Sequence, residues 1–215
     1  MTDSLFKNKG ALAENEVKDF LKSFDINTTN YFVIKSKKEI EALNIHYPVA
    51  LKVCSRKILH KTDVNGVKLN IQSKEELLKE FDDFHKRFPN DALLIDEMVE
   101  KGIEAIVGLV KDPTFGLCIM FGVGGIYTEL YQDVSFRVVP IEKNDAYEMI
   151  DEIKGKKLLE GFRNIKASKD EVIDLLLKFS SIGEIHMQSI DQMDLNPVFV
   201  YDKSICVVDA KLIVK

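Results

Sequence analysis

The apolar segments of this 215-residue chain change character partway along, and that change constrains the fold more than any other feature. Up to about residue 96, helix-like and strand-like runs alternate. Leu12, Val17, Phe20, Leu21 and Phe24 recur at helical spacing between charged residues. Ser36-Lys-Lys-Glu39 and Ser73-Lys-Glu-Glu76 read as helix starts. Tyr31–Ile34, Val49–Cys54, Gly66–Ile71 and Ala92–Asp96 read as strands. Beyond Asp96–Gly102, a natural hinge, four short strands follow in succession: Glu104–Val110, Leu117–Phe121, Tyr127–Tyr131 and Val134–Val139. Helices over Asn144–Ile153 and Ser168–Ile185 come next, and two strands, Ile190–Tyr201 and Ser204–Val214, close the chain. The pattern predicts an α+β (α/β) protein with lobes at 1–96 and 97–215, the second opening as an antiparallel meander.

Several function classes are set aside by charge and cysteine usage. Thirty basic and 35 acidic side chains give a net charge of −5, which argues against a nucleic-acid binder that neutralises phosphates. No apolar run approaches the ~20 residues needed to span a bilayer, so no membrane partner is expected. Cys54, Cys118 and Cys206 lie in apolar stretches without metal-ligand spacing. They read as small buried hydrophobes of a soluble protein in a reducing, cytoplasmic compartment.

The candidate chemistry begins at the C-terminal hairpin. With Asp202-Lys203 as a two-residue turn, residues whose numbers sum to 405 face each other. Asn196 then opposes Asp209, and Asp194 opposes Lys211, on one face. Opposed oxygens about 5 Å apart at Cβ can hold a hard cation such as Mg²⁺. An ordinary strand-end carboxylate beside a proline kink fits the spacing equally well. Lys52 interrupts an apolar strand, where an ammonium either snorkels to water or meets an anion. The loop after it, Ser55 to Gly66, gathers Arg56, Lys57 and Lys61 around His60, a setting suited to a phosphorylated imidazole. His46, His85 and His186 read as structural. Glu97, Met98 and Val99 form a short linker whose backbone can pair with an adenine edge, and Glu104 can accept from a ribose. Arg137, inside Val134–Val139, wants either an anionic ligand or a surface carboxylate.

Taken together, these residues resemble the ATP-grasp (β) subunit of ADP-forming acetyl-CoA synthetases over essentially the whole chain. The resemblance rests on Tyr47-Pro-Val-Ala-Leu-Lys-Val53, His60-Lys-Thr-Asp-Val-Asn-Gly-Val67 and Phe121-Gly-Val-Gly-Gly-Ile126. It extends through Asp133-Val-Ser-Phe-Arg-Val-Val-Pro140, Leu158-Leu-Glu-Gly161, Asp194-Leu-Asn-Pro197 and Val208-Asp-Ala-Lys211. It implies an ATP-grasp fold, two α+β lobes closing on ATP or ADP. By that match Lys52 binds nucleotide phosphates, Glu97, Met98 and Val99 hold adenine, and Glu104 binds the ribose. Asn196 and Asp209 coordinate Mg²⁺, Arg137 lies near the terminal phosphate, and His60 is a phosphohistidine carrier. CoA and a second carrier histidine would belong to a partner α subunit in an α2β2 heterotetramer. Related ligases of succinate, malate or aryl acids, a non-catalytic nucleotide-binding subunit and a stand-alone carboxylate–amine ligase are the competing expectations. Asn65 stands where the family usually carries glycine; if φ is positive there, asparagine is the least costly replacement.

Overall fold

The computed structural model describes residues 2–7, 9–58, 60–124, 128, 132–161 and 166–215. The chain divides into two compact units, a smaller one of Ala11–Glu16 and Thr29–Glu100 and a larger one of Met1–Gly10, Val17–Thr28 and Lys101–Lys215. A two-residue strand, β1 (Gly10–Ala11), precedes helix α1 (Glu14–Lys22). Beside the expected lobes, 1–96 and 97–215, the chain changes unit after Glu100, and Met1–Gly10 and the later turns of α1 fall with the larger unit. Packing gives the reason. Phe20 meets Phe6 and Phe24 edge-on, with centroids 5.4 and 5.2 Å apart, and Val207 N–H donates to the Asn27 carbonyl at 2.9 Å.

The smaller unit is an antiparallel sheet of β2 (Tyr31–Ile34), β3 (Val49–Cys54), β4 (Val67–Ile71) and β5 (Ala92–Glu97), in the order β2-β5-β3-β4. Helices α2 (Lys37–Ala42) and α3 (Lys74–Arg87) accompany it. Ser73 caps α3 by accepting from Glu76 N–H, and the helix buries Leu77, Phe81 and Phe84 at i, i+4 and i+7 against Leu51, Val53 and Ile95. Strand β3 lies between β5 and β4 and is buried at all six positions, which is why its sequence is apolar except at Lys52.

The larger unit holds a seven-stranded sheet. Its further strands are β6 (Ile103–Asp112), β7 (Gly116–Val123), β8 (Val134–Val138), β9 (Ile190–Val200), β10 (Ile205–Val207) and β11 (Ala210–Val214). The order is β1-β11-β9-β6-β7-β8, with β10 also paired to β9. Helices α4 (Lys143–Glu152) and α5 (Lys169–Ile185) cover one face. A Cβ on Gly183 of α5 would lie 3.1–3.2 Å from Leu109, Leu117 and Val139, which marks the side those residues face. The expected strand Tyr127–Tyr131 lies outside the described residues except for Thr128, whose N–H donates to the Gly124 carbonyl at 2.9 Å. Gly125 and Ile126 of the glycine loop also lie outside them.

Strand β9 fixes the register of the C-terminal half. Ile205↔Val200, Val207↔Val198, Ala210↔Leu195 and Lys211↔Asp194 all sum to 405, as the two-residue turn requires, and Tyr201 N–H donates to Ser204 O at 2.9 Å. Against β6 the same strand slips: Ala105 pairs with Val198 but Val107 with Leu195. Asn196 and Pro197 therefore stand together opposite Ile106, a bulge at a proline that has no N–H for the ladder.

Candidate functional site

In the smaller unit the puzzle of Lys52 resolves into a buried charge network. Lys52 Nζ lies 2.7 Å from Glu14 Oε1 and 2.6 Å from Asp96 Oδ2, with all three residues at most 5% exposed. Glu14 Oε2 also accepts from Lys61 Nζ, and Asp96 Oδ1 accepts from the Thr29 hydroxyl at 2.5 Å. The anion at Lys52 is thus, in the first instance, a pair of the chain's own carboxylates. Charges taken this far out of water persist only when paired, so the network is closed rather than decorative.

His60 follows in the loop after β3 and is exposed, in contrast to its neighbour Lys61, which is 7% exposed. Two of the three cations expected around His60 are already partnered: Arg56 with Glu16 and Lys61 with Glu14. A tight turn ends the loop, with Gly66 N–H donating to Lys61 O at 2.6 Å and Asn65 N–H to Thr62 O at 3.0 Å. Asn65 has φ +51°, the left-handed conformation for which asparagine is the mildest substitute for glycine.

At the end of β5, Glu97 turns its carboxylate back on the smaller unit, accepting from Asn30 Nδ2 (3.1 Å) and His46 N–H (3.3 Å) and pairing with His46 Nδ1 (3.1 Å). Burial pushes this carboxyl up, but the bonds from Asn30 and His46 outweigh it and hold the pKa below the ordinary value. Met98 N–H donates to Pro48 O at 3.0 Å, and Met98 Sδ accepts from Asn70 N–H at 3.2 Å. The N–H of Glu97 is likewise engaged, donating to the Asn30 carbonyl at 2.9 Å.

In the larger unit, Asn196 N–H donates to the Asp209 carbonyl at 3.0 Å, so the two residues stand opposite each other. The β9–β11 register, regular from Ala210 to Ile213, keeps them on the side of Asp194 and Lys211. One row runs across this face as Phe136, Met120, Gly108, Asp194, Lys211. Burial pushes the Asp194 carboxyl up; Lys211 opposite pulls it down, and Asp209 pushes it up again. Carboxylate and amide oxygens on an electronegative stretch of sheet fit a hard cation. Among the described residues no group of three or more His, Cys, Asp or Glu side chains forms a metal cage. Glu104, on β6, is half-buried, and its carbonyl accepts from Gly124 N–H at 2.7 Å.

Arg137 is not brought to that face. Its neighbours across the sheet are Ile119 and Leu109, on the side covered by the helices. There its guanidinium donates to Glu152 (2.5 and 3.0 Å) and Glu148 (3.2 Å) of α4. Its anions here are two carboxylates one helical turn apart, so that it pins a strand to a helix. Sequence reasoning missed Glu14 and Asp96. The available signals were an acidic residue opening the apolar helix α1 and an aspartate ending the apolar run Ala92–Ile95.

The ATP-grasp domain family matches residues 4–214. The β subunit of Acetate–CoA ligase [ADP-forming] II of Pyrococcus furiosus is 41% identical over 223 residues, covering 98% of this chain and 94% of that protein. Acetate–CoA ligase [ADP-forming] II of Archaeoglobus fulgidus is 42% identical over 205 residues, covering 94% of this chain but 30% of that longer protein. The chain thus spans about a third of the longer relatives and nearly all of the subunit-sized ones. Among solved structures, dinucleotide forming acetyl-coenzyme A synthetase 1 of Ca. Korarchaeum cryptofilum, in complex with coenzyme A, Ca-AMPCP and HgCl⁺, matches with TM-score 0.89 and 40% identity over 100% of this chain and 97% of that chain. The same protein with coenzyme A and Mg-AMPPCP, its phosphohistidine segment pointing towards the nucleotide binding site, matches with TM-score 0.81 and 40% identity over 95% and 93%. In sequence and in fold, this chain belongs to the ATP-grasp β subunits of the ADP-forming acetyl-CoA synthetases.

Proposed function

We propose that this chain is the nucleotide-handling half of an acid–CoA ligase catalysing acyl-CoA + ADP + phosphate ⇌ carboxylic acid + CoA + ATP, with acetate or a similar small acid. The observation that carries the reading is the exposure of His60 on a loop rooted in the same buried network as Lys52. An acyl phosphate formed on a CoA-binding α subunit passes its phosphoryl group to a histidine there. The imidazole nitrogen of His60 then attacks that phosphorus: one N–P bond forms as the other breaks. A β-phosphate oxygen of ADP attacks in turn, forming the P–O bond of ATP and returning His60 to neutral imidazole. A phosphoryl group cannot cross between separate sites unaided, and a covalent carrier removes that obstacle. The phosphohistidine segment of the K. cryptofilum enzyme supports this assignment.

Lys52 binds nucleotide phosphates in this scheme, the Glu97–Val99 linker holds adenine, and Glu104 accepts from the ribose. Asn196 and Asp209 would hold Mg²⁺, which supplies neutralisation of phosphate charge when bound. The partner would be a separate α subunit in an α2β2 assembly, working in the cytoplasm; among the described residues no helix is long and apolar enough to cross a membrane. His60→Ala in the reconstituted complex should abolish ATP synthesis and leave ADP binding intact. Wild-type turnover by that variant would refute the relay.

A further inference from the structure

We propose that the His60 segment is parked by two ion pairs to the first turn of α1, so that Glu14 and Glu16 are positioning residues whose release gates the carrier. The proposal rests on reading His60 as the carrier. Arg56, on the N-terminal side of the segment, donates Nε to Glu16 Oε2 at 2.8 Å and Nη2 to Glu16 Oε1, a two-pronged bond. Lys61, immediately after His60, binds Glu14. Glu14 and Glu16 sit two positions apart in the opening turn of one helix, so a single element holds both roots of the segment. Ile58 adds an apolar contact by packing against the core of the smaller unit.

The two moorings differ in kind. Arg56 and Glu16 side chains are 41% and 25% exposed, within reach of solvent and salt, whereas those of Lys61 and Glu14 are 8% and 3% exposed. Adjacent Cα atoms are about 3.8 Å apart, so while the Lys61 ammonium stays bound His60 travels no further than the combined reach of the Lys61 and His60 side chains allows. Longer transfers require Lys61 to leave Glu14. The shared geometry makes that departure feasible, because Glu14 keeps Lys52 at 2.7 Å and is not abandoned as a lone buried charge. Lys61 meanwhile leaves beside an imidazole that carries a phosphoryl dianion, a competing partner for the same ammonium.

Hydrogen exchange on the purified chain, without partner or substrate, tests the mooring. In Glu16→Gln, amides of the peptide spanning 55–62 should exchange about two- to fivefold faster, the range set by an exposed ion pair, while α3 is unchanged. Raising salt from about 0.05 to about 0.5 M should accelerate the wild-type peptide similarly and the variant much less. The charge-exchanged pair Glu16→Arg with Arg56→Glu should restore protection. Lys61→Gln should accelerate the same peptide by more than about tenfold. Unchanged exchange in both single variants, or acceleration spread equally through α3, overturns the mooring. These outcomes do not depend on phosphoryl chemistry: loss of the His60 relay in the turnover assay would leave them standing, and their failure would leave the relay standing.

Discussion

Replacing Lys52 by methionine removes the centre of the buried network while nearly preserving side-chain volume. Removing one partner of a buried pair generally costs 3–5 kcal/mol. The low end, about 3 kcal/mol, applies here because Glu14 keeps Lys61 and Asp96 keeps the Thr29 hydroxyl. For a chain of this length 1 kcal/mol corresponds to about 2–4 °C, so Lys52→Met should melt roughly 6–12 °C below wild type by calorimetry at pH 7. Asp96→Leu should fall by a similar amount. Because Lys52 and Asp96 touch at 2.6 Å, the double variant should lose less than the sum of the two, by about 1–3 kcal/mol of coupling. ADP should raise the melting temperature of the wild type and fail to raise that of Lys52→Met, separating the phosphate role of the ammonium from its structural one. Melting of Lys52→Met within about 2 °C of wild type, or strict additivity in the cycle, would refute the account of this network.

Other outcomes follow from single positions. Asn65→Val should cost about 1–2 kcal/mol and Asn65→Gly almost nothing, since the site has φ +51°; chemical denaturation reads both. Gly66→Ala should destabilise by about 1–3 kcal/mol, because its Cβ would lie 2.6 Å from Val53 Cγ1 and 3.0 Å from the Lys61 carbonyl. Burial raises the Glu16 carboxyl pKa, but the bonds from Arg56 and Ala13 N–H bring it below its ordinary 4.5, and Glu97 is likewise lowered. Their folded-state pKa values being depressed, both contribute stability that is complete above that value and is lost as pH falls below it. Glu16→Gln should flatten that acid limb in urea melts taken from pH 6 to 3.

Much of this arrangement was legible because it is local. Strand β2 and strand β3 begin and end where their apolar runs do, and the Ser73 cap fixes the start of α3. The pairing of Asp194 with Lys211 and Asn196 with Asp209 followed from one turn length and the two-residue period of a strand. What escaped was non-local. Lys52 finds Glu14 and Asp96 at 38 and 44 residues' separation, and no window along the chain shows such a meeting. The division of α1 between units escaped for a related reason: periodicity reveals an apolar face but not the surface that receives it. The partners of Arg137 escaped as well, because a charged residue in an apolar strand reads alike whether its anion is a ligand or a neighbouring helix.

The slip of β9 against β6 at Asn196-Pro197 has a consequence for how this sheet tolerates change. Leu195 and Val198 are three positions apart, which in a regular strand would point them in opposite directions, yet both are fully buried. The additional residue rephases the alternation, letting one strand serve the same hydrophobic interior before and after it. Excising either Asn196 or Pro197 would leave the chain one residue shorter and rotate Val198 and Val200 outward, whereas a substitution at either place leaves that phase untouched. The length of this stretch is thus fixed by the core behind it, independently of whatever its side chains hold in front.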